Sequence, residues 1–296
     1  MPQLVALFRT MRPKQWTKNV LFVFPAIVAD GQVFQFGPLF RVTMACALLC
    51  LLAGSVYILN DLVDLQSDRM HPRKRFRPLP AGQLPVALAQ VAAVLIPAFV
   101  LVASLILSWK LTVVLTAYFL LQLAYIFRLK HVVLLDIFAL TAGFVLRIAA
   151  GVVVIEVTNF SPWLYVCLGL LALFLTIAKR RQEYILLGSQ AGQVRRIFQF
   201  YNLPLLDELL RITTTSTLIA YTVYTIETPS PLLARTNLAL ATVPFVMYGL
   251  FRYLYLMYVK GESAPPDEVL LKDRPLQLDI VLYALSFVVI LYVIPR

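Results

Sequence analysis

The chain has 296 residues, 60% of them hydrophobic and 14% charged, with a mean hydropathy of +0.82. About a quarter of the residues in an ordinary water-soluble domain are charged, so this composition excludes one and predicts a polytopic integral membrane protein. The formal net charge is +11, and where the basic residues fall decides its meaning more than the total does.

Arg9, Arg12, Lys14 and Lys18 precede the first apolar run, and no small-x-small cleavage pattern follows it, which predicts a retained first helix. A membrane-crossing helix needs roughly 17–25 mostly apolar residues. Nine stretches qualify: 17–36, 40–60, 86–107, 111–127, 132–155, 162–180, 211–227, 236–258 and 278–294. Pro25, Asp30 and Gly31 interrupt the first, so its outer end is expected to be irregular. No soluble domain, low-complexity tract or long linker separates these stretches. The expected architecture is all-α, a polytopic bundle of nine transmembrane helices forming one domain over residues 1–296. Cys46, Cys50 and Cys167 lie inside apolar segments and read as packing residues, neither a disulfide nor a zinc site.

With the N-terminus in the cytoplasm, 21 of the 26 Lys and Arg fall on the cytoplasmic side. Arg41, Lys110, Arg235 and Arg296 fall outside, and Arg147 lies within a span. The C-terminus is then external. The basic excess is thereby read as membrane topology, with some attraction to anionic lipid and no nucleic-acid partner. The long loops 2–3, 6–7 and 8–9 all face the cytoplasm, and the chemistry is expected there.

The most informative stretch runs from Asn60 to Gly82. Asn60, Asp61, Asp64 and Asp68 recur at helical spacing, which gathers four oxygen-bearing side chains on one face. No cationic residue interrupts the row, and like charges at i,i+4 repel, so a divalent cation, Mg²⁺ where phosphates share the site, would relieve it. Arg69, His71, Arg73, Lys74, Arg75 and Arg77 follow at once. Acid for a metal beside base for an anion is the chemistry of a magnesium–diphosphate site.

Three further clusters are candidates. Lys179, Arg180, Arg181, Glu183 and Tyr184 stand at the expected cytoplasmic end of helix six. Arg12, Lys14, Trp16, Lys18 and Asn19 precede helix one, where interface anchoring is also expected. Asp136 and Arg147 share helix five, about 16 Å apart along its axis, too far to pair with each other. An ionisable residue as deep as Arg147 is a functional candidate. No Ser-His-Asp pattern, metal–thiolate spacing or P-loop is present, and a reaction that expels diphosphate needs none of them.

The run Asn60-Asp61-Leu62-Val63-Asp64-Leu65-Gln66-Ser67-Asp68, continued by HPRKRFRPLPAG, resembles the first aspartate-rich motif of the UbiA superfamily of intramembrane prenyltransferases. Members that prenylate aromatic rings carry a second acidic motif, DxxxD, where this chain has Lys179-Arg180-Arg181-Gln182-Glu183. With RPKQWTKN, LAYIFRLKHVVLLD and GFVLRIAAG, that departure is similar to the decaprenyl-phosphate phosphoribosyltransferase branch. This resemblance implies transfer of 5-phosphoribose from 5-phosphoribosyl diphosphate (PRPP) to a polyprenyl phosphate, feeding cell-wall arabinan synthesis. It implies Mg²⁺ on Asn60, Asp61, Asp64 and Asp68, with Asn60, Asp64 and Asp68 central to catalysis. Lys74, Arg77, Lys179 and Arg180 would meet the donor's phosphates, and Glu183 its ribose hydroxyls or a metal-bound water. Lys14, Lys18, Asn19, Tyr125, Lys130, Asp136 and Arg147 are further substrate-site candidates. A bacterial plasma membrane with a cytoplasm-facing site is implied. The rival readings are a prenyltransferase acting on an aromatic acceptor and an ion-coupled transporter.

Overall fold

The computed structural model of the chain describes residues 2–70, 74–155, 157, 161–188, 191–194, 196–227, 238–262, 268–269 and 272–290. All regular structure among them is helical. The α-helices are α1 Pro2–Thr10, α2 Thr17–Val23, α3 Pro25–Ala29, α4 Phe36–Val63, α5 Leu65–Met70, α6 Val86–Leu107 and α7 Trp109–Phe127. They continue with α8 Leu135–Val152, α9 Pro162–Leu187, α10 Ala191–Val194, α11 Leu203–Glu227, α12 Val243–Tyr258 and α13 Arg274–Val288.

Among the described residues, six helical stretches are long and apolar enough to cross a membrane: α4, α6, α7, α8, α9 and Leu238–Tyr258, the last a 3-10 turn running into α12. Each matches an expected span. The first expected span is divided at Pro25, which cannot donate a backbone hydrogen bond and opens α3. The seventh starts earlier than expected: α11 begins at Leu203 and carries Asp207, Glu208 and Arg211 in its first turns. Helix α13 begins at Arg274, four residues before the expected ninth span, whose residues 291–294 lie outside the described residues. His71, Arg73, Arg195, Arg235, Arg296 and residues 236–237 also lie outside them. The pattern before residue 17 gives no span, and the structure adds the short helix α1 there.

Two compact units are present, residues 1–127 with 146–157 and residues 128–145 with 158–296, so α8 contributes its first turns to unit two and its last to unit one. Unit one is cored by Val23, Ile27, Val42, Leu49, Leu52, Leu111, Leu115 and Ala150. Gly151 lets α8 lie against the α2 backbone, because a Cβ there would overlap the Val23 carbonyl. A smaller core of Met11, Ile58, Leu79, Leu84 and Ala89 fastens the segments around the Asp row. Unit two packs Ile137, Phe174, Ile177, Phe198, Leu206, Leu210, Leu250 and Leu276.

Candidate functional site

Unit one carries the Asp row. Helix α4 stops at Val63, and Asp64, with φ −90° and ψ 8°, marks a shallow break before α5. The helical hydrogen bonds run across it, Asp64 N–H to Asn60 O at 3.0 Å and Asp68 N–H to Asp64 O at 2.8 Å. The row therefore keeps its shared face despite the break. Asp61 and Asp68 are buried, and both reach one guanidinium: Arg77 Nη1 donates to Asp68 Oδ2 at 2.7 Å and to Asp61 Oδ1 at 3.2 Å. Arg12 Nη2 donates to Asp61 Oδ1 at 2.5 Å, and Lys74 Nζ lies 3.6 Å from Asp68 Oδ1. The expectation of a row uninterrupted by cations holds along the sequence and is corrected in space, where Arg12 and Arg77 fold back onto it.

The row's donor set fits a hard divalent cation. Two carboxylates already converge on one cationic group, and Mg²⁺ is commonly held by one or two carboxylates with phosphate oxygens completing its shell. Among the described residues no three His, Cys, Asp or Glu side chains converge as a complete metal cage.

Also in unit one, Arg147 is buried. Its Nε donates to Asn19 Oδ1 at 2.7 Å and its Nη2 to the Tyr118 hydroxyl at 2.9 Å, with the Tyr118 ring centre 5.0 Å from its guanidinium carbon. Asn19 in turn donates to Cys50 Sγ at 3.2 Å. Asn19, expected beside Lys14 and Lys18, instead faces inward and orients Arg147. Lys18 bonds Gln15 Oε1 at 2.5 Å, and Lys14 is exposed.

Unit two carries the second motif, but inside a helix rather than at its end, since α9 runs on to Leu187 and stops at Gly188, whose φ of +52° suits glycine. Helical geometry therefore sends its side chains different ways: Arg180 and Arg181 are buried and Lys179 is exposed. Asp136, fully buried, accepts from Arg180 Nε at 2.6 Å through Oδ2 and from the Tyr201 hydroxyl at 2.7 Å through Oδ1. Arg180 Nη1 also donates to Glu183 Oε2 at 2.8 Å. The Tyr201 oxygen accepts the N–H of Leu134, a residue with φ of +64°. Burial and the Asp136 carboxylate push the Tyr201 hydroxyl above the ordinary tyrosine range, so it remains a donor. Arg181 Nε donates to Asp207 Oδ1 at 2.5 Å, Tyr258 OH donates to the same oxygen at 2.7 Å, and the guanidinium stacks 4.1 Å over the Tyr258 ring. Asp136, Glu183 and Asp207 thus compensate the two arginines of this motif, and Lys179 is its exposed cation.

Asp136 bonds Arg180 and Tyr201, and Arg147 bonds Asn19 and Tyr118. Tyr125 and Lys130 are partly buried near the end of α7 and the turn after it. Tyr118, Tyr201 and Asp207 are the partners that sequence reasoning missed as site residues, and Arg12 was read only as part of the basic amino-terminal cluster. Tyr201 is one of 14 tyrosines with nothing local to distinguish it.

The model of the UbiA prenyltransferase family matches residues 19–272, nearly the whole described helical framework. The chain belongs to the UbiA prenyltransferase family. It is a multi-pass membrane protein. Among its UbiA relatives, a decaprenyl-phosphate phosphoribosyltransferase of Mycolicibacterium smegmatis is 32% identical over 286 residues, covering 92% of this chain and 88% of the relative. A decaprenyl-phosphate phosphoribosyltransferase of Corynebacterium glutamicum is 30% identical over 293 residues, 98% of this chain and 87% of the relative. The solved structure of a UbiA homolog from Archaeoglobus fulgidus bound to GPP and Mg²⁺ shares the fold, with a TM-score of 0.71 at 18% identity over 97% of this chain and 100% of that one.

Proposed function

We propose that this chain is a Mg²⁺-dependent phosphoribosyltransferase that moves 5-phosphoribose from PRPP to a polyprenyl phosphate such as decaprenyl phosphate, releasing diphosphate. Its product would serve cell-wall arabinan synthesis. The observation that carries the reading is the buried Asp61–Asp68 pair overlaid by Arg12, Arg77 and Lys74, acid for a divalent cation directly beneath base for a diphosphate. The phosphoribosyltransferases named above, similar along almost all of the chain, favour PRPP over a prenyl diphosphate as the donor.

Asn60, Asp61, Asp64 and Asp68 are the residues that would hold Mg²⁺, which when bound supplies positive charge against the departing diphosphate. Arg77 and Lys74 neutralise the same leaving group from the protein side, and stabilising that charge is the largest catalytic contribution expected of the chain. C1 of the ribose then carries oxocarbenium-like character, and the polyprenyl phosphate, already anionic, attacks it without a general base. Lys179 is the candidate for the 5-phosphate. Arg180 is buried and bonded to Asp136 and Glu183, and Glu183 is a candidate for the ribose hydroxyls or a metal-bound water. Lys14, Lys18, Tyr125 and Lys130 remain substrate-site candidates, and Arg147 steadies α2 against α7 and α8 through Asn19 and Tyr118.

We read residues 1–296 as one transmembrane domain of nine spans, with α2–α3, α11 and α13 added to the six most apolar. The distribution of Lys and Arg supports a cytoplasmic N-terminus, an external C-terminus and a cytoplasm-facing site in a bacterial plasma membrane. The test is a radiolabel transfer assay on purified protein with a polyprenyl phosphate and Mg²⁺. Labelled PRPP should give an EDTA-sensitive phosphoribosyl lipid, and Asp64→Ala or Asp68→Ala should abolish it in inserted, folded protein. A prenylated ring, formed only from a labelled prenyl diphosphate and an aromatic acceptor, would overturn the donor. Full activity in either variant would overturn the site.

A further inference from the structure

In unit one the cations lie over the acids. The side chains of Asp61 and Asp68 are 1% and 2% exposed, whereas those of Arg12 and Arg77, which bond to them, are 28% and 29% exposed. An incoming solute therefore meets guanidinium before it meets the carboxylates of Asp61 and Asp68, while Asp64 is only partly buried. Arg12 is held in place by its own set of contacts. Its backbone has φ of +55°, a region that non-glycine residues rarely occupy and that clusters at ligand clamps, and its guanidinium carbon stands 4.7 Å from the centre of the Tyr57 ring. It introduces a single 3-10 turn, Pro13–Trp16, a short element with a positive side chain at its mouth.

We propose that Arg12 is a further donor-binding residue, and that Arg12 and Arg77 hold Asp61 and Asp68 until a diphosphate draws both guanidinium groups to itself, so that divalent cation and diphosphate bind cooperatively. The inference rests on the metal–diphosphate reading given above. Arg12, Arg77 and Lys74 bring positive charge to Asp61 and Asp68, with the Asp64 carboxylate partly buried in the same row. A divalent cation entering alone must displace partly exposed like charge from two buried carboxylates, with no anion to receive it. Diphosphate changes that balance: it offers each guanidinium paired oxygen acceptors in the planar geometry that arginine matches best. The released carboxylates and the phosphate oxygens then make up the mixed ligand set that a small hard cation prefers. Linkage makes the effect reciprocal, so each ligand tightens the other by the same factor.

The experiment is equilibrium dialysis of the full-length protein in detergent against Mn²⁺, with and without inorganic diphosphate, protein-free Mn²⁺–diphosphate serving as the blank. A converse series follows labelled diphosphate with and without Mn²⁺. Diphosphate should tighten Mn²⁺ on the order of tenfold or more, and Mn²⁺ should tighten diphosphate equally. Arg12→Met should bind Mn²⁺ alone more tightly than the unaltered protein and lose most of the coupling, while Arg12→Lys, keeping the charge, should retain part of it. Equal Mn²⁺ affinity with and without diphosphate in the unaltered protein overturns the inference, and this comparison needs no variant to fold. Coupling unchanged in a folded Arg12→Met overturns the part given to Arg12. If Mn²⁺ binds under neither condition, the metal reading itself fails, a result separable from strong but uncoupled binding.

Discussion

Asp136→Asn probes whether the second motif is an internally compensated unit or a bare anion site. The change keeps the side-chain volume and one carbonyl acceptor, removes the negative charge, and turns an amide NH₂ toward one of two donors, Arg180 Nε or the Tyr201 hydroxyl. Arg180 is 2% exposed and Asp136 fully buried, so the charge left behind cannot be rehydrated in place. Removing one member of such a pair costs about 3–5 kcal/mol. Glu183 still holds Arg180 Nη1 from a side chain 33% exposed, which places Asp136→Asn at the lower end, about 3 kcal/mol. Arg180→Met strands the opposite charge and should cost a similar amount. The double variant removes both charges and should lie within about 1–2 kcal/mol of the unaltered protein, a coupling of several kcal/mol. Equilibrium unfolding in mixed micelles, followed by helical circular dichroism, measures all three. If the double variant costs as much as the two single changes together, the charges are not paired in the folded protein and the reasoning is wrong.

Arg147→Lys should destabilise unit one by about 1–3 kcal/mol, because an ammonium on a shorter reach cannot serve Asn19 and Tyr118 together; thermal unfolding reads this, and an unchanged midpoint would refute it. Gly151→Ala should fail to give monodisperse protein, since its Cβ would strike the Val23 backbone. Gly169→Ala, whose Cβ would sit 3.6 Å from a Val145 methyl, should behave normally in the same size-exclusion assay. Asp273 caps α13 by accepting the Leu276 N–H at 2.9 Å and pairs with Arg252, and that hydrogen bond to Arg252 first of all holds its carboxyl below the ordinary aspartate range. A depressed folded value means its contribution is present above the unfolded value near 4 and is lost as pH falls through the lower folded one. Asp273→Asn should therefore flatten the acid limb of an unfolding-against-pH curve below about pH 4. An acid limb of the same slope in both proteins would remove Asp273 from the account.

The six most apolar spans were readable because transfer into lipid is close to additive over residues and needs no knowledge of neighbours. The same holds for the division at Pro25, where a missing N–H acts on its own helix. The Asp row was readable because its spacing is local, and its helical hydrogen bonds survive the break at Asp64. The weaker spans were harder: the amino-terminal end of α11 is polar, and α9 runs beyond its apolar part because Arg180 and Arg181 find acids there rather than water.

Pairing was a different matter. Arg12 reaches Asp61 across 49 positions, Arg180 reaches Asp136 across 44, Tyr201 reaches Asp136 across 65, and Arg147 reaches Asn19 across 128. Along the chain an arginine that obeys the positive-inside rule, one that neutralises a buried acid and one that waits for a phosphate are the same residue. From sequence alone came a helical membrane protein with an acidic row beside a basic run, because hydropathy and helical period are properties of neighbouring residues. Only the tertiary structure decided that Asp61 and Asp68 share Arg77, that Arg12 covers them, and that the basic second motif is largely compensated. Those outcomes depend on which distant side chains are buried together, where a charge without a partner is too costly to keep.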